Sequence, residues 1–87
     1  MWSIEWDEEA RKELRRLSHP VQQQLIQYLE QRIATPHEPR RFGKALTADL
    51  RGLWRYRVGD YRIVCRIEKE KLIVLVLHVG HRRHIYE

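Results

Sequence analysis

Eighty-seven residues with 17 Lys and Arg against 12 Asp and Glu give a formal charge of +5, and 43% of the positions are hydrophobic. A chain of this length hides only about 60–65% of its extended surface on folding, so residues 1–87 are expected to form one domain with one core, little room for a deep cavity, and a working surface on the outside. The single Cys65 excludes an intramolecular disulfide, and the opening residues lack the basic-then-apolar order of a signal peptide. The longest aliphatic run, Leu72 to Leu77, falls far short of the roughly 20 residues of a membrane span, so a cytoplasmic protein with no membrane partner is expected.

The charge is uneven. Residues 1–34 sum to −1 and residues 35–87 to +6, an asymmetry that favours a polyanionic partner.

Trp2, Ile4 and Trp6 alternate with polar neighbours, the period of a short first strand. Asp7 is placed to cap a helix over about 8–17, with an acidic first turn, a basic last turn, and Ala10, Leu14 and Leu17 on one face. Ser18-His19-Pro20 breaks it and starts a second helix whose buried stripe is Val21, Leu25, Tyr28, Leu29 and Ile33. Prolines between Thr35 and Pro39 end the helical half, and Arg40 to Gly52 reads as a basic loop with at most one helical turn.

From Leu53 the period becomes two, giving three antiparallel strands: Leu53 to Val58, Tyr61 to Glu68 and Lys71 to Val79, joined by Gly59-Asp60 and Lys69-Glu70. With Gly59-Asp60 as a hairpin turn, Val58 pairs with Tyr61, Arg57 with Arg62, Tyr56 with Ile63, Arg55 with Val64 and Trp54 with Cys65. One face, with Trp54, Tyr56, Val58, Tyr61, Ile63, Cys65 and Ile67, belongs against the helices. The other presents Arg55, Arg57, Arg62 and Arg66 together. The last strand is apolar on both faces and is expected to be central, with the first strand beside it. The fold class is α+β: a β-α-α-β-β-β order with a mainly antiparallel four-stranded sheet on a helical hairpin.

Arg57 opposite Arg62 is unfavourable for the protein alone, because like charges across a strand pair repel. Guanidinium groups suit phosphate oxygens, so the cluster is fitted to a phosphodiester. The tail adds His81, Arg82, Arg83, His84 and Tyr86, an aromatic among cations that allows base stacking beside phosphate contacts and favours single-stranded RNA. Lys44 and Arg51 extend the basic surface. His78, His81 and His84 lack cysteine or acidic companions nearby in sequence and are not read as metal ligands, with His78 taken as a packing histidine. Cys65 is assigned to the core. No Gly-rich phosphate loop, nucleophile elbow or paired catalytic carboxylates occur, and no cofactor is expected.

The segment from Leu53 to Val64 followed by Val79-Gly80-His81-Arg82-Arg83-His84-Ile85-Tyr86 resembles the RelE/ParE superfamily of bacterial toxins, on the RelE side, and the similarity spans nearly the whole chain. The resemblance implies a toxin of a type II toxin–antitoxin system: a ribosome-dependent, metal-independent endoribonuclease that cuts mRNA in the A site by attack of the ribose 2′-hydroxyl on the adjacent phosphate. Carried over by position, Arg55, Arg57, Arg62, Arg82 and Tyr86 match the family's basic and terminal tyrosine positions. Best-described members carry lysines where this chain has Arg55 and Arg57. Because arginine is a poor proton acceptor, His84 becomes the acid/base candidate, with His81, Arg83, Lys44 and Arg51 as RNA contacts. The resemblance further implies a cognate RelB-like acidic antitoxin, with operator DNA bound only through the antitoxin complex. A ParE-like gyrase inhibitor, or a catalytically inert partner in a repressor complex, remains an alternative on the same fold.

Overall fold

A computed structural model describes residues 1–85; Tyr86 and Glu87 lie outside the described residues. The first strand, β1, is Ser3–Trp6. Asp7 follows in extended conformation and its carboxylate accepts the Glu9 N–H at 3.2 Å, which starts helix α1 at Glu8–Arg15. Ser18 precedes helix α2, His19–Tyr28, with Pro20 in its first turn, where a missing N–H costs nothing. Expected as one helix through Ile33, this segment instead widens into a π-helical stretch over Leu29–Ile33, and the Ala34 N–H reaches the Leu29 carbonyl at 2.8 Å. Leu29 and Ile33 are both buried in the core.

The segment expected to be loop contains two short 3₁₀ turns, Pro39–Arg41 and Ala48–Leu50, and between them a two-residue strand, β2, Lys44–Ala45. Among the described residues the sheet therefore has five strands rather than four. Gly43 makes the fifth possible: at φ +82° it occupies the left-handed region, and a Cβ there would fall on the Arg55 carbonyl. Strands β3, Trp54–Val58, and β4, Tyr61–Glu68, form the expected hairpin with all five anticipated pairs in register, and Gly59 at φ +60° forms the turn. Lys69–Lys71 is a 3₁₀ turn, so Leu72, expected in the strand, closes it at φ 56° and strand β5 runs later, Ile73–His81.

The strand order is β1-β5-β4-β3-β2, with β5 central and β1 parallel to it. Leu25, Leu29 and Ile33 pack on Tyr56, Ile63, Cys65, Val74, Val76 and Val79 to make the core. Two features of β5 position the outer face of the sheet. Cys65 pairs with Val76 and Val64 with His78, so Leu77 is an extra residue, a bulge that resets the alternation. And β1 ends at Trp6, paired with Val76, after which α1 runs beside the remainder of β5. There the Glu13 carboxylate, not another strand, accepts the Val79 N–H at 3.1 Å.

Candidate functional site

Cross-strand pairing arranges the face away from the core in transverse rows. Lys44 of β2, Arg55 of β3, Val64 of β4 and His78 of β5 are successive partners. Glu13 of α1 closes this row, its Oε1 3.3 Å from His78 Nδ1. In the adjacent row Arg57 pairs with Arg62, and Arg62 with Gly80. Arg66 lies farther along β4, where Glu68 holds it at 3.3 Å.

Alternation predicts one shared environment for the four strand arginines, and the structure gives them two. Arg57 and Arg66 are exposed, but Arg55 is 6% and Arg62 2% exposed. Arg62 Nη1 donates to the Gly59 and Tyr61 carbonyls at 3.1 and 3.0 Å, buttressing the β3–β4 turn. Opposite Arg62, Gly80 has no side chain, and Ile85 of the tail folds so close above it that an added Cβ would stand 3.1 Å from Ile85 Cγ1.

The tail residues divide between two sides. The His84 N–H bonds the His81 carbonyl at 2.8 Å, and this turn returns the chain over the sheet. His81, expected among the RNA contacts, packs edge-on against Tyr61 at 5.4 Å between ring centres, and its Nδ1 accepts the Arg83 N–H at 3.2 Å. Arg82, Arg83 and His84 are exposed; Arg82 stands 4.0 Å from Asp60, a pair weakly coupled in solvent. Lys44 and Arg51 are exposed, Lys44 at the end of the arginine row and Arg51 just after the Ala48–Leu50 turn. Tyr86, assigned a site role from the sequence, lies outside the described residues.

Where the tail meets the sheet there is an open cleft of about 390 Å³ lined by Glu13, Leu50, Val64, His78, His84 and Ile85. His78, taken as a packing histidine from the sequence, is half exposed and paired with Glu13. The Leu77 bulge explains the difference, because without it His78 would face the core opposite Ile63. An apolar run gives no sequence sign of a bulge, and Glu13 is 65 residues distant from His78 in the chain. Among the described residues no three His, Cys, Asp or Glu side chains gather at metal-binding spacing. On the core face, burial pushes the Cys65 thiol up to about 12 and raises the Tyr56 phenol, so neither is poised as a nucleophile.

These features define a class: a small basic α+β domain that carries a cation-lined sheet face flanked by an acid–histidine pair. Residues 4–86 match the family described as the ParE toxin of the type II toxin–antitoxin system parDE, and the chain belongs to that family of toxins. It is 31% identical to toxin RelG of Mycobacterium tuberculosis over 98% of this chain and 95% of that protein. It is also 31% identical to toxin RelE of the same organism, over 88% of this chain and 77% of that protein. Among solved structures it superposes on the toxin–antitoxin complex RelBE2 of M. tuberculosis with a TM-score of 0.82 at 30% identity, covering 93% of this chain and 91% of that one. The isolated E. coli RelE toxin superposes with a TM-score of 0.72 at 26% identity, covering 93% and 84%. The fold is that of RelE toxins, on a chain that is a type II toxin–antitoxin toxin.

Proposed function

We propose that this toxin is a ribosome-dependent endoribonuclease that cleaves mRNA in the A site. The observation that carries the reading is the pair of rows in which Lys44, Arg55, Arg57 and Arg62 lie across three neighbouring strands, with exposed Arg82, Arg83 and His84 at their margin. In the proposed reaction the ribose 2′-oxygen attacks the adjacent phosphorus, the bond to the 5′-oxygen breaks, and a 2′,3′-cyclic phosphate and a 5′-hydroxyl result. Arg57 grips the phosphate from solvent. Arg55 and Arg62, shielded from water, contribute a positive field that strengthens in lower dielectric and favours the extra charge of the phosphorane. Arg82 assists the leaving oxygen, His84 transfers a proton, and Tyr86 orients a neighbouring base. No step needs a cofactor or a metal ion. The ribosome fixes the in-line geometry, which a shallow cleft does not impose by itself.

The neighbouring solved structures include toxin–antitoxin complexes, which supports a cognate antitoxin as partner. An acidic, partly disordered chain that folds on the basic face is the form suited to a charge of +5, and operator DNA is engaged through that complex. The test is primer extension on mRNA in programmed ribosomes, with the protein, with Arg57→Ala, and without ribosomes. Cuts inside the A-site codon that need both ribosomes and Arg57 are expected; their absence with a folded protein rejects the reading. One observation favours a second reading, since the matching family is described by ParE. Gyrase inhibition is its prediction, and a supercoiling assay decides it.

A further inference from the structure

We propose that His78, oriented by Glu13, is the general base of RNA cleavage and works with His84 across the cleft they share. The inference rests on the nuclease reading and adds to it the residue that takes the first proton. Lys44 and Arg55 lie in the same row as His78, and Arg62 lies one strand and one row away, so the imidazole is set on the cationic face where a scissile phosphate would rest. Arginine cannot deprotonate a hydroxyl in this pH range, and Cys65 and Tyr56 are buried on the opposite side of the sheet.

The geometry around His78 suits a base. Glu13 Oε1 and Oε2 stand 3.3 and 3.4 Å from its Nδ1, while Oε1 also accepts the Val79 backbone N–H at 3.1 Å. The backbone bond fixes the carboxylate, and the carboxylate selects the tautomer with a proton on Nδ1. That leaves the Nε2 lone pair directed away from Glu13. The charged and titratable neighbours are Glu13 from α1, His84 from the tail, Arg55 along the row and Arg62 on β4.

The step balances without a co-reactant. Nε2 of His78 takes the 2′-hydroxyl proton as the 2′-oxygen bonds to phosphorus, the phosphorus–5′-oxygen bond breaks, and protonated His84 gives its proton to the leaving 5′-oxygen. His78 leaves the turnover protonated and His84 neutral, and exchange with water resets both. Glu13 touches no substrate and is a positioning residue.

The test is single-turnover A-site cleavage between pH 5.5 and 8.5 by wild type, His78→Ala, His78→Gln and Glu13→Gln, with circular dichroism to confirm folding and with free imidazole added to His78→Ala. Loss of the base is expected to slow cleavage by about 10²-fold or more, to flatten the acid limb of the pH profile, and to leave half-saturation unchanged. Imidazole should restore part of the rate in His78→Ala, and Glu13→Gln should slow cleavage while keeping the limb. Wild-type cleavage together with folded His78 variants of unaltered rate and pH profile overturns the inference and leaves the nuclease reading intact. If His78→Ala does not fold, the His78→Gln profile decides in the same way. Wild-type protein that makes no A-site cuts overturns both.

Discussion

Arg57 and Arg62 are partners across β3 and β4, yet Arg57 is exposed and Arg62 is 2% exposed. Identical residues in one pair should therefore give two phenotypes. Arg57→Ala is expected to keep the stability of the protein and to slow A-site cleavage by about 10²–10³-fold, as loss of an electrostatic donor commonly does. Arg62→Ala also takes the donor from the Gly59 and Tyr61 carbonyls, so it should cost about 1–3 kcal/mol of stability as well. Urea denaturation beside primer extension separates the two. An Arg62→Ala protein as stable as wild type would remove the turn-buttressing role.

Gly80→Ala tests how the tail is held. The new methyl would sit 3.1 Å from Ile85 Cγ1, and Ile85 is the easier of the two to move. The expected outcome is an intact sheet with a displaced tail, and cleavage slowed by up to about 10²-fold through misplacement of His84. Altered Ile85 methyl resonances with unchanged β-sheet resonances would confirm it; wild-type activity would mean that the tail position is immaterial.

Alkaline pH should weaken the fold. Burial raises the Cys65 thiol from 9.0 to about 12 and raises Tyr28 and Tyr56 above 10.0. The folded chain holds these protons more tightly than the unfolded chain, so the stability they confer is complete below pH 9 and declines as pH rises from about 9 toward 12. Denaturation midpoints measured from pH 7 to 11 should fall above pH 9, and Cys65→Ala should lessen the early part of the fall. The native thiol should also resist alkylation at pH 8 until denaturant is added.

Tyr56→Phe removes a buried hydrogen bond from the Tyr56 hydroxyl to the Pro39 carbonyl, 2.8 Å long, that ties β3 to the turn after the helices. A loss of about 1–3 kcal/mol is expected because the carbonyl stays buried. Cleavage by the folded fraction should be unaffected, since Tyr56 faces away from the arginine rows. A measured change below a few tenths of a kcal/mol would show that water replaces the hydroxyl.

Much of this architecture was legible in the chain. Gly59-Asp60 between two alternating runs specified the hairpin register, and the wholly apolar run from Leu72 to Leu77 marked the central strand. What escaped were features that depend on distant contacts. The two-residue β2 has no period to read and exists because Gly43 lets the chain approach Arg55. Arg55 and Arg62 alternate as outward residues, but alternation says which face a side chain joins, not how deeply it is buried there, and both are nearly inaccessible. The pairing of Glu13 with His78 needed α1 to take the place of a strand beside β5, which local pattern does not encode.

Leu77 is passed over in the pairing of β4 with β5. By taking no partner it lets Val76 and Val79 both face the core while His78 turns to the cleft. Drawn into regular pairing, Leu77 would stand opposite Val64 and His78 opposite Ile63, and the end of the strand would turn over. Its removal, by contrast, joins Val76 to His78 and keeps the partners of His78, Val79 and Gly80. Position 77 is therefore the place in β5 where loss of a residue is expected to disturb the pairing least, and a deletion at any neighbouring position should be more damaging.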